Sequence, residues 1–268
     1  ALGKVAAHAE WRRRDPGRVP ELSGVDAERA VVRLQDFLVT RTEGGWLDGP
    51  EAAGLVGDYG IPTLETVPAS DAGAAAAAAE RLGYPVALKS ASGDLVHKTD
   101  VGAVRLGLWS ADEVRNAFDA MATSLGEKMG GAILQPMAAP GVETIVGIVQ
   151  DPAFGPLVMF GLGGVATDLL GDRAFRLLPV TDRDAAELVL SVRAAPLLLG
   201  YRGAPPGDLQ ALEDLVLRVG RLADDRPEVA EMDLNPVIVS PSGVIAVDVK
   251  VRVQPTSTAP DPYLRRLR

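Results

Sequence analysis

The chain has 268 residues, 47% hydrophobic and 4% aromatic, with a formal net charge of −9. That balance supports an aliphatic core of one large or two small globular units and argues against a duplex-binding surface, which needs a basic field. The absence of cysteine excludes disulfides, thiolate zinc sites and a thiol nucleophile.

The same absence fits a reducing cytoplasm. No apolar run approaches the ~20 residues of a membrane span, and no signal peptide is visible. The chain begins Ala1-Leu2-Gly3-Lys4, which reads as a piece of a longer polypeptide. Residues 1–14 read as a helix that stops at Asp15-Pro16, and 16–25 read as a linker by composition. A second helix is expected over 25–41. Asp48, Gly49 and Pro50 start a third, which Gly60 ends.

A strand is expected over 61–67. Ser70-Asp71 caps an alanine-rich helix over 72–82, and alanine is the best helix former. After Gly83 the apolar strand 85–89 ends in a single lysine, Lys89, so 61–88 form a β-α-β unit. A polar loop follows and holds His97-Lys98-Thr99-Asp100. A further strand covers 102–109, and Ser110 with Glu113 forms a capping box for a helix over 110–124. Runs rich in Ile, Val and Leu at 132–137, 143–150 and 156–160 read as strands. They lead into the glycine loop Gly161-Leu162-Gly163-Gly164. Helices are expected at 183–192 and 208–223. Strands at 229–234, 236–239 and 244–249 close the pattern, the last two as a hairpin about Pro241-Ser242-Gly243.

Several residues carry chemistry. A lysine at the end of an apolar strand either snorkels to water or meets an anion. An ammonium offers three donors and a point charge to phosphate. Neutral His97, in a loop flanked by Gly93 and Gly102, can act as a nucleophile toward phosphorus. Asn235 and Asp248 lie thirteen residues apart, one before and one after the hairpin, which brings an amide oxygen and a carboxylate side by side. Both are hard oxygen ligands suited to Mg²⁺, which keeps water and phosphate in its shell. Asn235-Pro236 also reads as a plain turn. The glycine loop can offer backbone N–H groups to phosphate.

The stretch YPVALKSASGDLVHKTDVGAVRLGL, with GVETIVGIVQDPAFGPLVMFGLGG, AFRLLPV and EMDLNPVIVSPSGVIAVDVK, resembles the ATP-grasp domain of NDP-forming acyl-CoA synthetases, relatives of succinyl-CoA synthetase. The resemblance runs over about 46–253. It implies an α/β ATP-grasp fold of two lobes with nucleotide between them. The expected divisions are an upstream tail and linker at 1–45, an N-terminal lobe at 46–124, a C-terminal lobe at 125–253 and a tail at 254–268. The implied cofactors are ATP or ADP and Mg²⁺.

The implied roles follow the matched positions. His97 takes phosphate from the nucleotide and passes it on. Lys89 contacts phosphate, with Gly163, Gly164 and Arg176 nearby. The Gln135 carbonyl and Met137 amide face adenine, because Pro136 has no N–H. Glu143 accepts from ribose hydroxyls, and Asn235 and Asp248 hold the metal. Ala103 and Asp168 depart from the family's usual glycine and glutamate.

The implied reaction joins carboxylic acid and CoA at the expense of ATP, giving ADP and phosphate. CoA-binding and ligase domains would lie upstream. The isolated chain is expected to bind nucleotide without completing the reaction. A nucleotide-sensing region of a GNAT-type protein lysine acetyltransferase is the alternative reading. Neither a nucleic acid nor a membrane is an expected partner, and a homo-oligomer stays open.

Overall fold

A computed structural model describes residues 12–92, 102–163 and 171–256, with Gly3 and Ala9 before them. The helix expected over 1–14 lies mostly outside the described residues. Helix α1 (Ala27–Thr40) starts at Asp26, whose carboxylate accepts from the Arg29 N–H at 3.0 Å. A short strand, β1 (Gly45–Trp46), follows. Helix α2 (Gly49–Asp58) begins with Pro50 and the reciprocal Asp48–Glu51 capping box, which satisfies two otherwise orphaned N–H groups.

Two antiparallel sheets form the body. The smaller contains β2 (Val67–Ala69), β3 (Val86–Ser90), β4 (Val104–Leu108) and β5 (Ala132–Pro136), in the order β2-β5-β3-β4. Helices α3 (Ala72–Leu82) and α4 (Ala111–Leu125) complete its core. Ala75, Ala78 and Ala79 of α3 pack there with Val86, Leu88, Phe118 and Met121. Strands β2 and β3 are each antiparallel to β5. They therefore run parallel with β5 inserted between them, so the expected β-α-β unit is a split one. Residues 61–66 are not a strand. They carry a single bridge, from Thr63 to Ala246.

The larger sheet has the order β1-β11-β9-β6-β7-β8, with β10 paired to β9. Its strands are β6 (Val142–Asp151), β7 (Gly155–Leu162), β8 (Arg173–Leu177), β9 (Val229–Ser240), β10 (Gly243–Ala246) and β11 (Val249–Val253). The runs at 229–234 and 236–239 form one continuous strand, and the run expected at 244–249 divides into β10 and β11. Helices α5 (Asp182–Leu190) and α6 (Leu209–Asp225) cover one face. Alternation sorts the side chains. Val146, Ile148, Val158, Phe160, Met232, Leu234, Val251 and Val253 join the helix-side core, and α1 and α2 join it through Leu34, Phe37, Leu55 and Val56. The residues between them on each strand face the other way.

Two boundaries differ from the sequence reading. Strand β5 pairs in the small sheet, so that unit runs to residue 136 rather than ending at 124. Helix α2 packs with the large core, so 49–58 do not belong to the small unit. Hydrophobic periodicity marks each element but not which sheet it joins.

The segment read as a linker is tied down. Arg18 N–H donates to Asp182 Oδ1 at 2.9 Å, and Asp182 N–H donates back to the Arg18 carbonyl at 2.9 Å. The Thr181 hydroxyl donates to the Pro16 carbonyl, and Arg218 donates to the Ser23 carbonyl. Gly17 has φ +74, and a Cβ there would meet Asp182, Arg183 and Thr181 within 3.0 Å. Composition marks chain without regular structure, not chain without partners.

Candidate functional site between the two sheets

The sheets meet where β3 and β5 of the small one approach the turn between β10 and β11. Every residue of β3 is buried. Lys89 is only 5% exposed. Its Nζ donates to Asp248 Oδ1 at 2.8 Å, across 159 residues of sequence. The ammonium therefore meets a carboxylate and does not snorkel to water. Asp248 keeps a half-exposed side chain, so it faces the opening between the sheets.

Asn235 sits beside it. Asn235 N–H donates to the Asp248 carbonyl at 3.1 Å, extending the β9–β10 pairing beyond Val237↔Ala246. The hairpin thus places the amide and the carboxylate next to each other. Among the described residues no three His, Cys, Asp or Glu side chains gather. A cation here would rest on this oxygen pair, with phosphate and water completing its shell. Magnesium takes few protein ligands and accepts that arrangement, so the donor set fits it.

Gln135 joins the same junction through its side chain. Its Nε2 donates to Thr66 Oγ1 at 2.9 Å and to the Val247 carbonyl at 3.0 Å. Its Oε1 is buried without a partner among the described residues. The Met137 amide is not available for adenine as expected. It donates to the Pro85 carbonyl at 3.1 Å, because the β3–β5 ladder continues one residue past Val86↔Pro136. Glu143 is exposed at the start of β6. Gly163 lies against it, its N–H donating to the Glu143 carbonyl at 2.7 Å. A Cβ on Gly163 would fall 3.0 Å from the Glu143 Cβ, so a larger residue would need Glu143 to give way by a few tenths of an ångström.

Arg176 is elsewhere. It pairs with Val158 on β8, whose side chain enters the helix-side core, so Arg176 shares that face. Its guanidinium lies 3.8 Å from Asp184 and 3.9 Å from Glu187, both on α5. Asp172, just before β8, accepts from the Arg193 and Ala194 N–H groups. One residue of strand parity decides the matter: Arg173, opposite Gly161, lies on the face away from the helices. His97, Gly164 and Asp168 lie outside the described residues.

Asp233 was missed by the sequence reading. It lies two residues before Asn235 on the same side of β9, opposite Lys250 on β11 and Gly147 on β6. One of its oxygens is buried without a partner among the described residues. Burial pushes its carboxyl above the usual carboxylate range, against the pull of Lys250, a hydrogen bond with Asn235 and Arg173. The Asp-Leu-Asn spacing, read as a strand, was the available signal. This face therefore carries Arg173 and Lys250 as cations and Asp233 and Asp248 as anions, with Gly147 between them. A Cβ on Gly147 would sit 2.5 Å from the Met232 carbonyl, so the floor of the face stays low.

A model of the ATP-grasp domain matches residues 39–253. The chain belongs to the ATP-grasp family. It is 38% identical over 207 residues to the beta subunit of acetate–CoA ligase [ADP-forming] I of Pyrococcus furiosus, a match covering 75% of this chain and 89% of that subunit. It is 41% identical over 231 residues to acetate–CoA ligase [ADP-forming] I of Archaeoglobus fulgidus, covering 85% of this chain but 33% of that protein. This ATP-grasp domain thus spans about a third of the longer relative.

Its fold superposes on dinucleotide-forming acetyl-coenzyme A synthetase 1 of Ca. Korarchaeum cryptofilum in complex with coenzyme A, Ca-AMPCP and HgCl⁺. The TM-score is 0.77 at 38% identity, covering 82% of this chain and 99% of that one. Another structure of the Korarchaeum protein holds coenzyme A and Mg-AMPPCP, with its phosphohistidine segment pointing towards the nucleotide-binding site. It matches with TM-score 0.71 at 38% identity, again covering 82% and 99%. The α/β ATP-grasp architecture expected from sequence is the one present. Among the described residues no helix is long and apolar enough to cross a membrane.

Proposed function

We propose that this ATP-grasp domain holds a magnesium–adenine nucleotide between its two sheets and exchanges a phosphoryl group with His97, as the nucleotide half of an ADP-forming acyl-CoA synthetase. The observation that carries this reading is the meeting of Lys89 with Asp248 across the two sheets, with Asn235 paired to Asp248 through the backbone. A phosphate chain needs a cation from one side and a metal-holding oxygen pair from the other. The small sheet supplies the first and the large sheet the second. The Pyrococcus and Archaeoglobus relatives are ADP-forming ligases, which favours this reading over a sensor fused to an acetyltransferase.

Asn235 and Asp248 would hold the magnesium ion, which neutralises charge on the phosphates when bound. Lys89 binds a phosphate oxygen through its ammonium. Arg173 and Lys250 add positive charge on the floor, and the Gly163 region brings backbone to the phosphates. The hinge after Pro136 faces adenine, and Glu143 accepts from the ribose. Unprotonated His97 attacks the γ-phosphorus: the nitrogen–phosphorus bond forms as the bond to the ADP oxygen breaks. The CoA-dependent steps, and the acid they use, belong to the rest of a longer protein.

Incubation with γ-labelled ATP tests the central step. The expected product is an acid-labile, base-stable label that His97→Ala abolishes while nucleotide binding stays unchanged. A label that survives in His97→Ala would overturn the assignment. Thermal melting with MgADP tests binding separately, since a ligand of the native state raises its stability.

A further inference from the structure

We propose that, in the nucleotide-free domain, the Lys89 ammonium stands in for the divalent cation at Asp248 and is released only when metal and nucleotide arrive together. The inference rests on the nucleotide-binding reading above and adds a coupling to it.

Lys89 is almost fully buried, and Asp248 is the acceptor of its ammonium, at 2.8 Å. A buried ammonium without an anion is unfavourable. Asp248 is also the carboxylate of the Asn235–Asp248 oxygen pair. A magnesium ion sits about 2.0–2.1 Å from a ligand oxygen. An ion on Asp248 would therefore lie within a few ångströms of Nζ and repel it. The two cations compete for one carboxylate unless more negative charge is supplied.

Asp233, on the same face, already faces Lys250 and Arg173. A nucleotide phosphate removes the conflict, because Lys89 can pass from Asp248 to a phosphate oxygen while the metal takes Asp248. Metal alone must displace Lys89 from the carboxylate it meets among the described residues. Nucleotide alone must draw Lys89 from Asp248 with no cation to replace it. Each ligand therefore binds weakly by itself and strengthens the other, and the coupling is reciprocal. The pair also links β3 of the small sheet to the β10–β11 turn of the large one, so the same exchange changes what holds the sheets together.

Mn²⁺ binding to nucleotide-free protein, read by the loss of the free-ion EPR signal, tests this directly. Lys89→Met keeps an unbranched apolar stem but removes the ammonium and its charge. It should bind Mn²⁺ at least about tenfold more tightly than wild type without nucleotide, about 1.4 kcal/mol, and should bind ADP less tightly. Lys89→Arg retains a cation and should stay close to wild type in nucleotide-free Mn²⁺ affinity. Asp248→Asn, made in the Lys89→Met background, should remove the gain. Unchanged or weaker Mn²⁺ binding in folded Lys89→Met overturns the stand-in role. Failure of wild-type protein to respond to MgADP would overturn the nucleotide reading instead, so the two failures are distinct.

Discussion

The two sheets solve different problems. The small one is thin and alanine-rich on its helix side. Ala75, Ala78 and Ala79 let α3 lie close to Val86 and Leu88, and a fully buried β3 delivers one cation, Lys89. The large sheet carries a broad core of Val, Leu and Ile on one face and spreads charge over the other. There Asp233, Lys250 and Arg173 interact. A phosphate site needs a charge held rigidly on one side and a polar floor on the other. Burial fixes the lone lysine of the small sheet, and charges of opposite sign share the floor of the large one.

The widest separation between the sheets should appear in their cores. Phe160→Ala, in the centre of the large core, should cost about 3–5 kcal/mol. Met121→Ala in the small core should cost about 2–5 kcal/mol. Calorimetry decides whether the sheets unfold together. One shifted transition in both variants means a single cooperative unit, and a split endotherm in Met121→Ala means the small sheet melts alone.

The junction should respond next. Asp248→Asn leaves Lys89 without its carboxylate. Because Asp248 is half-exposed, the loss should fall between that of surface and buried pairs, about 1–2 kcal/mol. It should also abolish the part of the nucleotide-induced melting shift that depends on Mg²⁺, leaving the shift seen in EDTA. Equal losses with Mg²⁺ and with EDTA would exclude Asp248 as a ligand.

Tyr59 tests the attachment of α2 to the large core. Its hydroxyl donates to Asp225 at 3.2 Å and accepts from Arg226 at 3.0 Å. Burial pushes its pKa up from about 10 to about 12, a rise that Arg226 opposes and Asp225 reinforces. A raised folded-state pKa stabilises below the unfolded value, and that contribution is lost as pH rises from about 10 through about 12. Tyr59→Phe should cost about 1 kcal/mol at neutral pH and flatten the alkaline limb of the stability profile. An unchanged limb would show that the phenol does not titrate there.

The smallest effect separates two neighbouring arginines. Arg176→Ala should change stability by no more than about 0.5–1 kcal/mol and leave nucleotide binding unaltered. Arg173→Ala should weaken ADP by about tenfold, as loss of one charge-assisted contact of about 1.5 kcal/mol would. The reverse order would place the phosphates on the wrong face of β8.

Much of this was legible in the chain itself. The caps at Asp48, Asp71, Ser110 and Asp208 start helices because a side-chain oxygen reaches a free N–H two or three residues on, a purely local matter. The hairpin spacing that juxtaposes Asn235 and Asp248 is also local. What the sequence left undecided depends on pairing between distant segments. Which sheet β5 joins, which face Arg176 takes, and that the Met137 amide is held by Pro85 are set by register, and one step of register reverses a side chain. The partner of Lys89 lies 159 residues away. Sequence determined that a lysine would end a buried strand. Only the packing of one sheet against the other decided that its charge would face a carboxylate rather than water, because burial removes the solvent that would otherwise have served.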